Sequence, residues 1–266
     1  MNYFENIRRL VVKVGTSTLT HDNGKLNLRR MDHLVRVLSD VRNRDIEVIL
    51  VSSGAIGVGV GKLKLAAKPH DIGGRQACAA VGQCELMYIY DKFFGEYGHA
   101  TGQVLLTRDC VDDKLRLYNI RNAFERLIDL GALPIVNEND TVATEEIEFG
   151  DNDTLSAIVA KAVGADALVI RTDIDGLHAD NPQKVPDAPL LHVVETIDEH
   201  VKQIAGGAGS SRGTGGMYTK VIAAEIATRA GVTTAIIDGS TPENLYALLE
   251  GEEIGTIFPA GGKQND

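Results

Sequence analysis

IEVILVSSGAIGVGVG, residues 46 to 61, changes character halfway along. Its first seven residues are an apolar, β-branched run of strand length. Ser53 and a series of glycines then break the pattern, as a chain does when it leaves a strand through a turn. The same sequence of events recurs along the chain. Apolar runs stand at LVVKVG (10–15), GQVLL (102–106), LPIVN (133–137), ALVIRT (167–172) and TTAIID (233–238). Between them lie longer stretches of helical period. Leu28, Met31, Leu34, Val35 and Leu38 mark one such stretch, and a second is predicted from Met217 to Arg229. Val- and Ile-rich strands alternating with helices predict βαβ units and a mostly parallel sheet covered on both faces.

Ligands of such sheets collect at the carboxyl ends of the strands, and the unusual residues of this chain follow its strands. LVVKVG runs into Thr16-Ser17-Thr18, IEVILVS into Ser53-Gly54-Ala55, LPIVN into Glu138-Asn139-Asp140, and ALVIRT into Asp173. The glycines of SSGAIGVGVG would let a ligand approach the backbone closely, although no complete GxGxxG is present. GTGGMYTK (213–220) places small residues and a lysine at a predicted helix start, where free N–H groups favour an anion. It reads equally as a glycine-rich surface loop with a solvated Lys220. Thr219 stands where a Walker A motif requires glycine. Lys13 lies inside an apolar run, and a lysine in a buried strand is costly unless an anion pairs with it. On an edge strand it would instead reach for water.

Residues 136–157, VNENDTVATEEIEFGDNDTLSA, hold seven carboxylates, and no Lys or Arg occurs between Leu127 and Ala160. Glu145, Glu146 and Glu148 fit a solvated two-stranded excursion. Asp151, Asn152 and Asp153 stand at the front of a predicted helix, where one of them suffices as a cap. The surplus suggests a polar cluster that positions cations, either lysines or Mg²⁺.

Composition bounds the rest. The 266 residues are 44% hydrophobic and 24% charged, enough for a sizeable core, and are read as one domain over residues 1–266. The formal charge of −10 argues against a nucleic-acid partner, which needs a basic face, but not against small phosphorylated ligands. No run approaches ~18 apolar residues and the first ten lack a signal-peptide core. A cytoplasmic protein without membrane contact is therefore expected. Cys78, Cys84 and Cys110 fit neither a zinc site nor a disulfide framework and are read as small buried side chains. No nucleophile elbow or HExxH occurs. Lack of an obvious base suits a reaction whose nucleophile is already ionised.

Taken together, VVKVGTS (11–17), VSSGAIGVG (51–59), AAVGQ (79–83), QVLLTRDC (103–110), the acidic run, RTDIDGLHADNP (171–182) and GTGGMYTK resemble the amino acid kinase family. The pair NENDTVA and FGDNDTLSA resembles the branch that phosphorylates the γ-carboxylate of L-glutamate. That resemblance implies a three-layer αβα sandwich around a mostly parallel sheet of about eight strands. MgATP would bind over its carboxyl-terminal half and L-glutamate over the other. It implies Lys13, Lys220 and Asp153 as catalytic residues, with Asp153 holding the two lysines in place. Ser53, Gly54, Ala55, Asn137, Asp140, Asp151 and Asn152 would bind the acceptor. Lys13, Gly15, Thr172, Asp173, Thr214, Gly215, Gly216, Met217, Tyr218, Thr219 and Lys220 would bind the nucleotide. Mg²⁺ would arrive with ATP rather than on protein ligands. The resemblance also implies a homo-oligomer (dimer or tetramer), proline as feedback inhibitor, glutamate-5-phosphate reductase as a partner in proline biosynthesis, and a chain that ends before the family's frequent C-terminal PUA-type module. Two alternatives remain: a sister kinase acting on aspartate, N-acetylglutamate or UMP, and a non-catalytic amino acid or nucleotide sensor.

Overall fold

The structure is a computed structural model, and it describes residues 2–21, 25–107, 110, 113–142, 152–180, 185, 187–206 and 216–261. The chain divides into two compact units, one of Val14–Glu148 and the other of Met1–Lys13 with Phe149–Asp266. Seven strands occur among the described residues.

In the unit of residues 14–148, α1 (Thr16–Leu19) and α2 (Leu28–Arg42) precede β2 (Glu47–Ser52). Next come α3 (Ala55–Lys62), α4 (Ile72–Glu96), β3 (Ala100–Leu106), α5 (Lys114–Asp129) and β4 (Ala132–Glu138). The strand order is β3-β4-β2, with both pairs parallel; Leu50 opposes Ile135 and Leu105 opposes Asn137. Helix α2 forms because Met31, Leu34, Val35 and Leu38 make one apolar stripe, and all four are buried while Leu28 faces water. Its start is fixed by Asn27, whose side chain accepts from the N–H of Arg30 at 3.1 Å. Asp113 caps α5 in the same way, accepting from both Leu115 and Arg116. β3 lies at the end of this order, and only Leu106 of its residues is fully buried.

The other unit begins with β1 (Arg9–Val14), which continues by one residue past Lys13, and resumes with α6 (Asn152–Ala162) and β5 (Ala167–Thr172). It ends with α7 (Glu199–Ile204), α8 (Met217–Arg229), β6 (Thr233–Asp238), α9 (Asn244–Leu249) and β7 (Thr256–Phe258). The order here is β1-β5-β6-β7, with β5 and β6 parallel and β6 and β7 antiparallel. All six residues of β5 are buried. Successive strand residues point to opposite faces, so this strand is covered on both sides, as the middle layer of an αβα arrangement must be.

The sequence placed six of these strands within two residues at each end. It missed β7, because three residues are too few to display a period. The three cysteines are free, but they are not uniformly buried: Cys78 is, Cys110 is half-buried and Cys84 is exposed on α4. The expected acidic excursion and most of the glycine-rich stretch 206–216 lie outside the described residues.

Glycine has a different use here from the one the sequence suggested. A Cβ on Gly59 would stand 1.8 Å from the carbonyl oxygen of Cys78, and one on Gly82 would stand 1.8 Å from that of Ala55. These two glycines let the backbones of α3 and α4 touch, rather than opening room for a ligand. Gly54 serves the turn itself: its φ of +101° lies in the left-handed region, which glycine adopts without a Cβ penalty.

Candidate active site

Lys13 is the fifth residue of β1 and is 5% exposed, with apolar neighbours on either side. Its ammonium finds its anion 140 positions later in the chain: Nζ lies 2.5 Å from Oδ1 of Asp153, which is itself fully buried. The second oxygen of the same carboxylate takes Nζ of Lys220 at 3.2 Å, and Lys220 is 3% exposed. The hydroxyl of Thr219 donates to that same Oδ2 at 3.1 Å. One carboxylate thus stands between two lysines, which leaves the cluster with a formal charge of +1. An isolated charge would be very costly at this depth, and pairing with hydrogen bonding is what makes the burial tolerable.

Local structure explains how the three side chains arrive. Asp153 occupies the first turn of α6, where helix N–H groups favour a carboxylate, and Ser156 Oγ donates to its carbonyl at 2.6 Å. Asp153 is therefore inside the helix rather than its cap. Lys220 lies in the first turn of α8 and folds back over it, with Nζ 3.5 Å from the carbonyl of Gly216. Gly216 is the N-cap and offers no side chain, so the first N–H groups of α8 are not capped by it. Met217, Tyr218 and Thr219 are half-buried in that turn. Thr172 ends β5, and its hydroxyl donates to Asp173 at 3.0 Å, beside the exposed carboxylate. Asn152 opens α6 and is buried. Asp151, Thr214 and Gly215 lie outside the described residues.

The unit of residues 14–148 collects the remaining candidates. β2 and β4 are parallel neighbours with Val51 opposite Val136, so their carboxyl ends coincide. Ser53, Gly54 and Ala55 follow the end of β2, and Asn137 stands one residue before the end of β4. The N–H of Ser53 is bound to the carbonyl of Val14 at 3.2 Å, and Gly15 follows as N-cap of α1. Asn137 is buried, with its amide nitrogen 2.8 Å from Gln83 Oε1 and its oxygen accepting from the N–H of Glu138. Burial pushes the Asp140 carboxyl above its usual range, and the nearby Lys68 ammonium opposes that shift. Gln83 and Lys68 were not singled out as site residues. Only the motif AAVGQ pointed toward the first, and no pattern marked the second.

The described residues contain no cluster of three or more His, Cys, Asp or Glu side chains arranged to hold a metal ion. Asp153 is engaged by two ammonium groups, which makes it a poor ligand for a divalent cation. No helix among the described residues is long and apolar enough to cross a membrane.

A mostly parallel sheet with two buried lysines held by one carboxylate, one at a strand end and one at a helix start, is an arrangement suited to phosphoryl groups. The chain belongs to the amino acid kinase family, whose sequence model matches residues 8–238. Among individual proteins it is 53% identical to a glutamate 5-kinase of Clostridium perfringens over 257 residues, 95% of this chain and 96% of that one. A glutamate 5-kinase of Listeria monocytogenes is 52% identical over 96% of this chain and 94% of its own. Solved structures of similar fold include UMP kinase from Bacillus anthracis, with a TM-score of 0.63 at 14% identity over 96% of this chain and 97% of that one. Isopentenyl phosphate kinase from T. acidophilum matches with a TM-score of 0.62 at 18% identity, over 94% and 99% of the two chains.

Proposed function

We propose that this protein transfers the γ-phosphoryl group of ATP to the γ-carboxylate of L-glutamate, giving L-glutamyl 5-phosphate and ADP, the first step of proline biosynthesis. The transfer chemistry rests on one observation, the buried Asp153 carboxylate between Lys13 and Lys220. The choice of acceptor rests on the relatives, which are glutamate 5-kinases at about half identity over nearly the full chain.

The acceptor carboxylate is ionised at neutral pH, so no general base is needed to generate the nucleophile. The difficulty lies in bringing two anions together. Lys13 and Lys220 offset that repulsion, and Asp153 holds both ammonium groups where charge develops on the transferred oxygens. Mg²⁺ bound with the nucleotide neutralises further phosphate charge. Gly15, the turn Gly216–Lys220 and the pair Thr172–Asp173 bind the nucleotide, together with Thr214 and Gly215. Ser53, Gly54, Ala55, Asn137, Asp140, Asp151 and Asn152 orient L-glutamate, with the Asp140 carboxylate facing its ammonium group. Orientation of this kind supplies much of the rate in a reaction with little covalent work for the protein.

Both units act as parts of one kinase domain, in a cytoplasmic homo-oligomer. Proline acts as feedback inhibitor, and the labile acyl phosphate passes to glutamate-5-phosphate reductase.

The test is MgATP turnover by the purified protein with L-glutamate and hydroxylamine, which traps the acyl phosphate as γ-glutamyl hydroxamate. Aspartate, N-acetylglutamate and UMP serve as controls. Hydroxamate with L-glutamate alone is the expected result. ADP formed with another acceptor would move the assignment to a sister kinase. Binding of ATP with no turnover on any acceptor would favour a sensor.

A further inference from the structure

We propose that His178 is a positioning residue for the nucleotide: with both ring nitrogens protonated it clasps the turn that carries Asp173, and nucleotide binding weakens when one of those protons is lost. The inference rests on the reading of Thr172 and Asp173 as nucleotide-binding residues.

The turn depends on its side chains for a hold. Asp173, Ile174 and Asp175 follow β5 and all three are exposed. Among the described residues, neither they nor Gly176 make a backbone hydrogen bond. At one end, Asp173 accepts from the hydroxyl of Thr172. At the other, Gly176 is pressed against β7, where a Cβ would stand 2.6 Å from Thr256 Oγ1, and the N–H of Leu177 donates to that oxygen at 2.8 Å. Between these two anchors, His178 reaches back to Asp175.

Two acceptors decide the protonation of the ring. The segment Leu177–Ala179 runs antiparallel to Pro189–Leu191, with His178 opposite Leu190. That pairing brings the Ala188 carbonyl to 2.7 Å from Nδ1, while Oδ1 of Asp175 lies 2.8 Å from Nε2. A carbonyl and an ionised carboxylate only accept, so both nitrogens must donate, and only the imidazolium carries both protons. Neutral imidazole would turn a lone pair toward an oxygen and open one of the two contacts.

The surroundings favour the cation. The Ala188 carbonyl and then the Asp175 carboxylate hold His178 above the ordinary histidine value of 6.5, against a smaller opposing effect of burial. Among the described residues, Asp175 is the charged group that acts on the ring. The returning arm offers Ala188, Pro189 and Leu190, none of them charged, and β7 offers Thr256 beside Leu177. The other titratable groups of the segment, Asp173, Asp180, Asp187 and His192, are exposed. The clasp is therefore complete below the ordinary value and is lost as pH rises through the higher value of the folded chain.

The experiment measures MgADP affinity by calorimetry from pH 6 to 9 for wild type, His178→Leu, Asp175→Asn and Asp173→Ala, each variant compared with wild type at the same pH so that ionisation of the nucleotide cancels. With one clasp lost near the surface, His178→Leu should bind about threefold more weakly than wild type at pH 6, and the ratio should fall as pH rises. Asp175→Asn supplies an N–H that neutral imidazole can accept, so this variant should bind more tightly than wild type at pH 9, which loss of packing alone would not produce. The ¹³Cε1 resonance of His178, assigned by its absence in His178→Leu, should titrate with a midpoint above 6.5. A midpoint at or below 6.5 would overturn the clasp. So would a His178→Leu ratio that does not change with pH, or an Asp175→Asn variant that keeps the wild-type pH dependence. Wild-type affinity in Asp173→Ala would instead overturn the reading of Asp173 as a nucleotide-binding residue.

Discussion

Asp153 is a single carboxylate with two ammonium partners, and that stoichiometry sets its role. An aspartate meant only to neutralise one buried lysine would need one partner; two partners leave net positive charge at the depth where phosphate oxygens would bind. Lys220→Ala removes that net charge, leaving Lys13 and Asp153 to cancel, and should lower turnover by ~10²-fold or more, the cost of losing one preorganised donor. A turnover near wild type, measured by ADP release, would show that Lys220 only packs. Asp140 illustrates the opposite balance. Burial raises its carboxyl pKa above the unfolded value, so between the two values the folded chain binds more protons and stability falls as pH rises. The penalty is complete once pH exceeds the folded pKa. Asp140→Asn should therefore melt at a higher temperature than wild type at pH 7, with the gap closing toward pH ~4. Its KM for L-glutamate should rise about tenfold or more, since the counter-charge to the ammonium is lost. Calorimetry against pH and kinetics at pH 7 check the two halves of this trade.

At the scale of elements, six of the seven strands among the described residues were legible because each is an apolar run bounded by a turn. The boundaries expected for β5 and β6 are the observed ones. Helix α8 was equally clear, from Met217 to Arg229. The packing of α3 on α4 was not legible. GAIGVGVG looks like a ligand-binding turn, yet only Gly54 has the left-handed backbone such a turn requires; Gly59 is there because another backbone needs its space. Gly59→Ala should cost roughly 1–3 kcal/mol, as overpacking does where the clash is with backbone and cannot be relieved by a rotamer change. A melting temperature unchanged by that substitution would mean that the two helices slide apart freely. Local sequence cannot distinguish a glycine needed for φ from one needed for proximity, since both look like a missing side chain.

For the molecule as a whole, the relevant forces are those that both ligands exert on folding. A ligand that binds only the folded chain stabilises it by mass action, by ~2.7 kcal/mol at a hundred times its Kd. For a chain of this size that corresponds to a rise of roughly 5–10 °C in Tm. MgATP should give a shift of that order, and MgATP with L-glutamate a larger one than either alone. Differential scanning fluorimetry would reveal it, and a nucleotide shift that L-glutamate leaves untouched would argue against a ternary complex. The acidic balance of −10 does not oppose this binding, because the lysines that matter are buried beside one aspartate and govern the field locally.

The amino-acid sequence by itself determined the alternation of strands and helices, the turns at strand ends and the family, because each is written in short-range periodicity or in ordered motifs. The resemblance also named Lys13, Asp153 and Lys220 as a group. Only the tertiary structure decided which atoms meet: which oxygen of Asp153 takes which lysine, that Thr219 shares it, and that Gln83 reaches Asn137 across 54 positions. Such contacts depend on crossover paths, strand register and the distance at which helices pack, and no window of neighbouring residues encodes those quantities.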